Sequence, residues 1–190
     1  MVPGIDVSHY DGSIDWTQVA ASGVRFAYIK CTEGAAFLDP EFVENWSGAT
    51  ESNILAGAYH FLTDADPVLQ ASLFRRHCPV YGLPPALDIE ISSITPELVN
   101  RFLAALPGEM RMRVMPYLDA FYIDDFSELI TRKVWIAHYR VLGPSPGPWP
   151  TWTFWQHSNQ GSVPGIAGAV DLDWFNGTQE ELEALLAKPT

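Results

Sequence analysis

Leu87-Asp88-Ile89-Glu90-Ile91 follows the stiff pair Pro84-Pro85 and leads into Ser92-Ser93, and it alternates apolar with acidic residues. Alternation is the period of a strand, and on a strand residues i and i+2 share a face. Both carboxylates therefore point the same way, about 6–7 Å apart. An exposed edge would carry two acids cheaply, but helical patterns flank this run on both sides, which predicts a parallel strand covered on both faces. Two acids turned into a covered interior cost too much unless they end in a polar, water-filled site. In such a site like charges drive the two pKa values apart, so that one pair supplies both a proton donor and an anion.

The rest of the chain suits that reading. Its 190 residues, 47% hydrophobic and 18% charged, suit one globular domain with a sizeable core. Acids outnumber bases 23 to 11, for a net charge of −12, which argues against nucleic acid or an anionic membrane surface as partner. Cys31 and Cys78 lie in no CxxC or Cys/His ligand spacing and read as buried free thiols. Met1-Val2-Pro3-Gly4 enters a strand directly, without a signal-peptide pattern, and no apolar run is long enough to span a bilayer. The expectation is a protein that reaches any site outside the cell through lysis or another secretion route.

Strands are predicted over 2–7, 25–30, 54–61, 83–91, 112–118, 133–139, 152–157 and 169–172. Helices are expected after Asp15, Asp39-Pro40, Asp66-Pro67 and Thr95-Pro96, with a short one over 121–130 and a last one over 180–187 capped by Thr178. Five strand–helix alternations followed by strands with little helix predict a parallel α/β barrel with an irregular end, a single domain short for a regular eight-fold barrel. An open doubly wound sheet is the alternative, but no Gly-rich phosphate loop follows any strand. Barrel chemistry sits where strands end. The residues at those ends are Asp6, Glu33, Tyr59-His60-Phe61, Asp88, Glu90, Tyr117, His138-Tyr139, Gln156-His157 and Asp171, the make-up of a carbohydrate cleft.

Several stretches in order carry a resemblance: Gly4-Ile5-Asp6-Val7-Ser8, Tyr28-Ile29-Lys30-Cys31-Thr32-Glu33-Gly34, Gly57-Ala58-Tyr59-His60-Phe61, Leu87-Asp88-Ile89-Glu90, Trp135-Ile136-Ala137, Phe154-Trp155-Gln156-His157-Ser158, and Val163-Pro164-Gly165-Ile166 before Val170-Asp171-Leu172-Asp173. Together they resemble the glycoside hydrolase family 25 lysozymes, the muramidases of phage endolysins, bacteria and some fungi. The resemblance covers nearly the whole chain. It implies an irregular TIM-like (β/α)5(β)3 barrel, with residues 1–190 as the catalytic domain and no separate wall-binding module. The implied reaction is hydrolysis of the β-1,4 bond between N-acetylmuramic acid and N-acetylglucosamine in peptidoglycan, by a monomer without cofactor or metal.

Carried over by position, Glu90 is the general acid/base, and Asp6, Asp88 and Asp171 complete the acidic cluster. Tyr59, Tyr117, Tyr139 and Gln156 line the sugar subsites, and Glu33 is given no chemical role. Where the family usually has an amide after the first strand, this chain has Asp11. The family is described as retaining, by a carboxylate nucleophile or by the substrate's acetamido group, with Asp88 or Asp171 as the orienter in the second case. Two rival readings are weighed. A metal-dependent barrel hydrolase would use His9, His60, His138 and His157, but none has ligand spacing. A sugar-binding barrel without catalysis would be expected to lack the acid, and Glu90 is present. Trp16, Trp46 and Trp174 are expected in the core.

Overall fold

The computed structural model describes residues 1–187. Its strands are β1 (Val2–Val7), β2 (Phe26–Glu33), β3 (Phe37–Leu38), β4 (Leu55–Phe61), β5 (Ala86–Ile89), β6 (Met115–Asp119), β7 (Trp135–Ala137), β8 (Phe154–Gly161) and β9 (Val170–Phe175). Pairing runs β1-β9-β8-β7-β6-β5-β4-β2-β3, and β1 also pairs with β2, which closes eight strands into a barrel. The barrel strands run parallel except β9, which lies antiparallel between β8 and β1. β3 is a short antiparallel flap on β2.

Helices α1 (Trp16–Ala21), α2 (Phe42–Glu51), α3 (Pro67–His77) and α4 (Pro96–Ala105) clad the first part of the barrel. Three of their starts follow the sequence signals closely. Asp15, Asp66 and Thr95 each accept a backbone N–H of the first turn, and Pro67 and Pro96 sit where no N–H is needed. The fifth unit's helix is a 3-10 segment over Ile123–Leu129, and no helix joins β8 to β9. The (β/α)5(β)3 barrel is thus the observed fold.

Boundaries differ where the physics is local. β5 covers only Ala86–Ile89, not 83–91, because Pro84 and Pro85 cannot donate to a ladder. Met112 lies in a short helix α5 (Gly108–Arg113) and not in a strand. The last helix, α6 (Gln179–Glu183), stops well before Ala187, which pairs back with Gly82 through two backbone hydrogen bonds.

Alternation along each strand builds two cores. Ile5, Val7, Ile29, Leu87, Ile89, Leu118 and Ile136 face outward and pack under the helices with Phe42, Trp46, Phe74 and Phe102. Facing inward are Phe26, Tyr28, Met115, Trp135, Phe154 and Phe175, an aromatic plug that fills the lower barrel. Tyr28 stacks on Trp135 with centroids 4.7 Å apart, and Phe26 and Phe154 meet edge-on at 5.1 Å. Glycine makes room for these rings. A Cβ at Gly4 would come within 2.3 Å of the Phe26 ring, and one at Gly57 within 2.4 Å of Tyr28. Of the tryptophans expected in the core, Trp16 and Trp46 are buried, but Trp174 is only half-buried. It stacks on His157 at 5.6 Å on the outer face of β8–β9, where no helix covers it.

Candidate active site

Above the aromatic plug the inward positions change from rings to acids. A cavity of about 210 Å³ opens there, lined by Asp6, Asp88, Glu90 and Asp171 together with Tyr59, Tyr117 and Gln156. Asp6, Tyr59, Asp88 and Glu90 come from the C-terminal ends of their strands, Tyr117 and Gln156 from within β6 and β8, and Asp171 from the start of antiparallel β9. Antiparallel entry is what sets Asp171 directly across from Asp6 in the β1–β9 ladder. A larger hollow of about 440 Å³ lies at the other end of the barrel, between α2, β4 and α6. It has one acid, Glu183, and no cluster that could do chemistry.

Gln156 holds the cluster together. Its Oε1 accepts from the Tyr117 hydroxyl at 2.9 Å and from the Tyr139 hydroxyl, while its Nε2 donates to Asp6 Oδ2 at 2.7 Å and Asp171 Oδ2 at 3.2 Å. The reversed amide would aim its oxygen at two carboxylates, so the network fixes the orientation. All four hydrogen-bonding positions of this amide are taken by protein groups. Tyr59 is buried beside the acids, and Tyr139 lies half-buried at the rim.

The acids are crowded and dry, and their pKa values respond accordingly. Burial is the first cause in every case. It pushes Asp88 well above the carboxylate range, aided by Glu90 and opposed by Lys30. It raises Asp171 to about 6, aided by the Asp11 and Glu90 charges. Glu90 is also raised, by surrounding protein atoms and with the Tyr117 hydroxyl opposing, but less than Asp88 because its side chain is exposed at the rim. One oxygen of buried Asp88, Oδ1, has no hydrogen-bond partner within the protein.

Three residues not assigned from sequence belong to this site. Lys30 is buried among the acids, paired with Glu33, with its ammonium 4.8 Å from the Phe61 ring centre. It is the cation that favours the charged forms of Asp88 and Glu90. Asp173 lies fully buried beneath Asp6 and accepts from Trp135 Nε1 at 2.8 Å. Asp11 accepts the Ser8 N–H at 2.8 Å and closes a capping box, a bond that an amide oxygen could make equally well. Its charge adds to the acid field at Asp171. A signal for Asp173 was present: Asp171-Leu172-Asp173 repeats the acid–apolar–acid period of Asp88-Ile89-Glu90.

The four histidines at strand ends do not converge. His9 bonds Asp39 at 2.8 Å, and His138 accepts from Ser145 N at 3.2 Å. His60 faces the helices, bonded to Thr32 and Gln70 and stacked on Phe102, and burial drives its pKa down to about 4. His157 lies on the outer face against Trp174. Among the described residues no group of three or more His, Cys, Asp or Glu side chains is arranged to hold a metal ion. Cys31 and Cys78 are buried free thiols, with burial raising Cys31 to about 12.

Carboxylates of graded acidity at the strand ends of a closed barrel define a class of enzyme, the barrel glycoside hydrolases. The sequence matches the model of Glycosyl hydrolases family 25 over residues 5–166, and the chain belongs to that family. It is 35% identical to Lysozyme M1 of Streptomyces globisporus, over 97% of this chain and 71% of that protein. A bacterial lysozyme structure from Streptomyces coelicolor superposes with a TM-score of 0.89 at 35% identity, covering 97% of this chain and 96% of that one. A family 25 glycosyl hydrolase from Bacillus anthracis follows with a TM-score of 0.87 at 32% identity, covering 97% and 93%. The chain is a glycoside hydrolase of the lysozyme kind.

Proposed function

We propose that this enzyme hydrolyses the β-1,4 bond between N-acetylmuramic acid and N-acetylglucosamine in bacterial peptidoglycan, and that residues 1–190 are its catalytic domain. The observation that carries the reading is the set of four acids in one cavity, with exposed Glu90 at the rim, buried Asp88 and Asp6 behind it and half-buried Asp171 across from Asp6. Glu90, raised in pKa and open to an entering sugar, is the proton donor to the glycosidic oxygen. The cluster behind it turns a negative potential on the oxocarbenium-like transition state, with Lys30 the cation that favours the charged form of Asp88.

Asp88 has the more specific part. Its unpartnered Oδ1 is a buried acceptor awaiting a donor, and the acetamido N–H of the substrate has the right polarity. Bonded so, the acetamido oxygen is free to attack the anomeric carbon as the glycosidic bond breaks, and Glu90 then returns as base to activate water. Gln156 and the two tyrosines it engages orient Asp6 and Asp171, which adds a structural part to the subsite role expected for them. Tyr59 and Tyr139 offer the ring and hydroxyl surface against which the sugar lies. The enzyme acts on the cell wall of bacteria, alone and without cofactor. Mass analysis of muropeptides released from purified peptidoglycan tests this. New reducing ends at muramic acid are expected, and reducing ends at glucosamine, or no release, would overturn it.

A further inference from the structure

Asp173 is 1% exposed, on the boundary between the aromatic plug and the acids. Its Oδ1 accepts the Trp135 indole N–H at 2.8 Å, and its Oδ2 is buried without a donor of its own. Across the β1–β9 ladder it pairs with Gly4, so that it faces inward as a diagonal neighbour of Asp6, two residues on. Asp6 and Asp173 face the same inward side of adjacent antiparallel strands, diagonal across the ladder, and the two carboxyls act on each other directly. Two carboxylates cannot face each other in a dry site with one neutral donor apiece, since each lacks the water that would solvate its charge.

We propose that Asp173 is a positioning residue: it shares one proton with Asp6, and the resulting carboxyl–carboxylate bond holds Asp6 against the Gln156 amide. The orphan oxygen is then satisfied. Asp6 is clamped from below by the shared proton and from the side by Gln156 Nε2 at 2.7 Å. The proton belongs to the pair, which titrates as a unit. The other titratable groups facing it are Asp171 on its own strand, Tyr28 on β2 beside Asp173, and Tyr59, Tyr117 and Tyr139 around Asp6, phenols that burial keeps protonated. Gln156 on β8 and Trp135 on β7 are neutral donors, and Lys30 on β2 acts across the cavity on Asp88 and Glu90. The pair is therefore set mainly by dryness and acid neighbours. Burial raises both carboxyls of the pair above the usual range, so the pair keeps a proton at neutral pH and sheds it only on the alkaline side.

This inference rests on the reading that Asp6 belongs to the catalytic cluster, and its test separates the two. Asp173→Asn keeps both contacts, with the amide oxygen accepting from Trp135 and the amide N–H donating to Asp6, but has no proton to lose. The melting temperature of the wild type should fall as pH rises from 6 to 9 while that of Asp173→Asn falls less, a gap widening to a few degrees. This measurement reads the shared proton whether or not the enzyme cleaves peptidoglycan. On peptidoglycan, Asp173→Asn should keep the neutral rate within about threefold and move the alkaline limb of the pH–rate profile up by a unit or more. Asp173→Leu, which removes the donor, should lose at least tenfold in kcat. Melting curves with the same pH slope in wild type and Asp173→Asn would overturn the shared proton. An unmoved alkaline limb, or a neutral rate in Asp173→Asn as low as in Asp173→Leu, would overturn the positioning role.

Discussion

The two sides of this barrel are covered by different means. From β1 to β5 the outer face lies under helices, and the contact layer is built from Phe74, Phe102 and aliphatic side chains with essentially no exposure. From β7 to β9 no helix returns across the outside. Trp152, Trp155, His157 and Trp174 cover it in a row, each ring 5.5–5.9 Å from the next. Both sides nevertheless deliver polar groups to the same cavity: Asp88 and Glu90 from one, Gln156 and Asp171 from the other. The lesson is that the outer cover of a strand is exchangeable while its inward alternation is not. Aromatic rings cover the strands on one side as helices do on the other, but only closure of the ladder puts acids from distant strands together.

The largest effect that would test this comparison is catalytic. Glu90→Gln on the clad side should lower the rate roughly 10²–10⁴-fold with the melting temperature unchanged. Asp171→Asn on the bare side should cost about 10²-fold, with the melting temperature held or raised, because it relieves charge crowding. A bare side serving only as scaffold would instead give an Asp171→Asn enzyme with near-normal rate.

Packing should separate the sides next. Phe102→Ala leaves a cavity between α4 and the barrel and should cost about 3–5 kcal/mol. Trp174→Ala removes a half-buried ring from the bare face and should cost about 1 kcal/mol. Equal losses in denaturant unfolding would mean that the aromatic row is as much a core as the helix layer.

The response to pH should follow the buried groups of each side. Asp173 and Asp171 have folded pKa values of about 8 and about 6, raised above their unfolded values. Their stabilising contribution is complete below the unfolded carboxylate range and is lost as pH rises through those folded values. For fully buried Asp173 the slope is about 1.4 kcal/mol per pH unit, and half-buried Asp171 contributes less. His60, on the clad side, is lowered to about 4, so its neutral form stabilises above the unfolded value and that contribution is lost as pH falls toward 4. Between about pH 4 and 6.5 the two slopes oppose each other, so the melting temperature should change little there and fall from about pH 6.5 toward 8; in His60→Gln the fall should begin near pH 4.

Salt should have the smallest effect. With a net charge of −12, moderate salt should raise the rate on walls bearing anionic polymers, because the Debye length shrinks from ~30 Å at 0.01 M to ~8 Å at 0.15 M. A rate highest at the lowest salt would reveal an attractive contact, for which the uncovered face is the first place to look.

Short-range physics in the chain was enough to determine much of this protein. Alternation in Leu87-Asp88-Ile89-Glu90 announced two acids on one face, Asp66-Pro67 and Thr95-Pro96 announced helix starts, and the order of elements announced the barrel. What the period could not say was which strand each residue would meet, because pairing across 150 residues, as between Asp6 and Gln156, depends on closure and not on local preference. Only the tertiary structure decided that β9 enters antiparallel and sets Asp171 and Asp173 beside Asp6. A register shift between Lys30 and Thr32 likewise sent Thr32 outward to His60, while Lys30 stayed among the acids. A single extra residue in a ladder reverses which face a side chain takes. That reversal separates Thr32, which bonds a buried core histidine, from Lys30 in the candidate site.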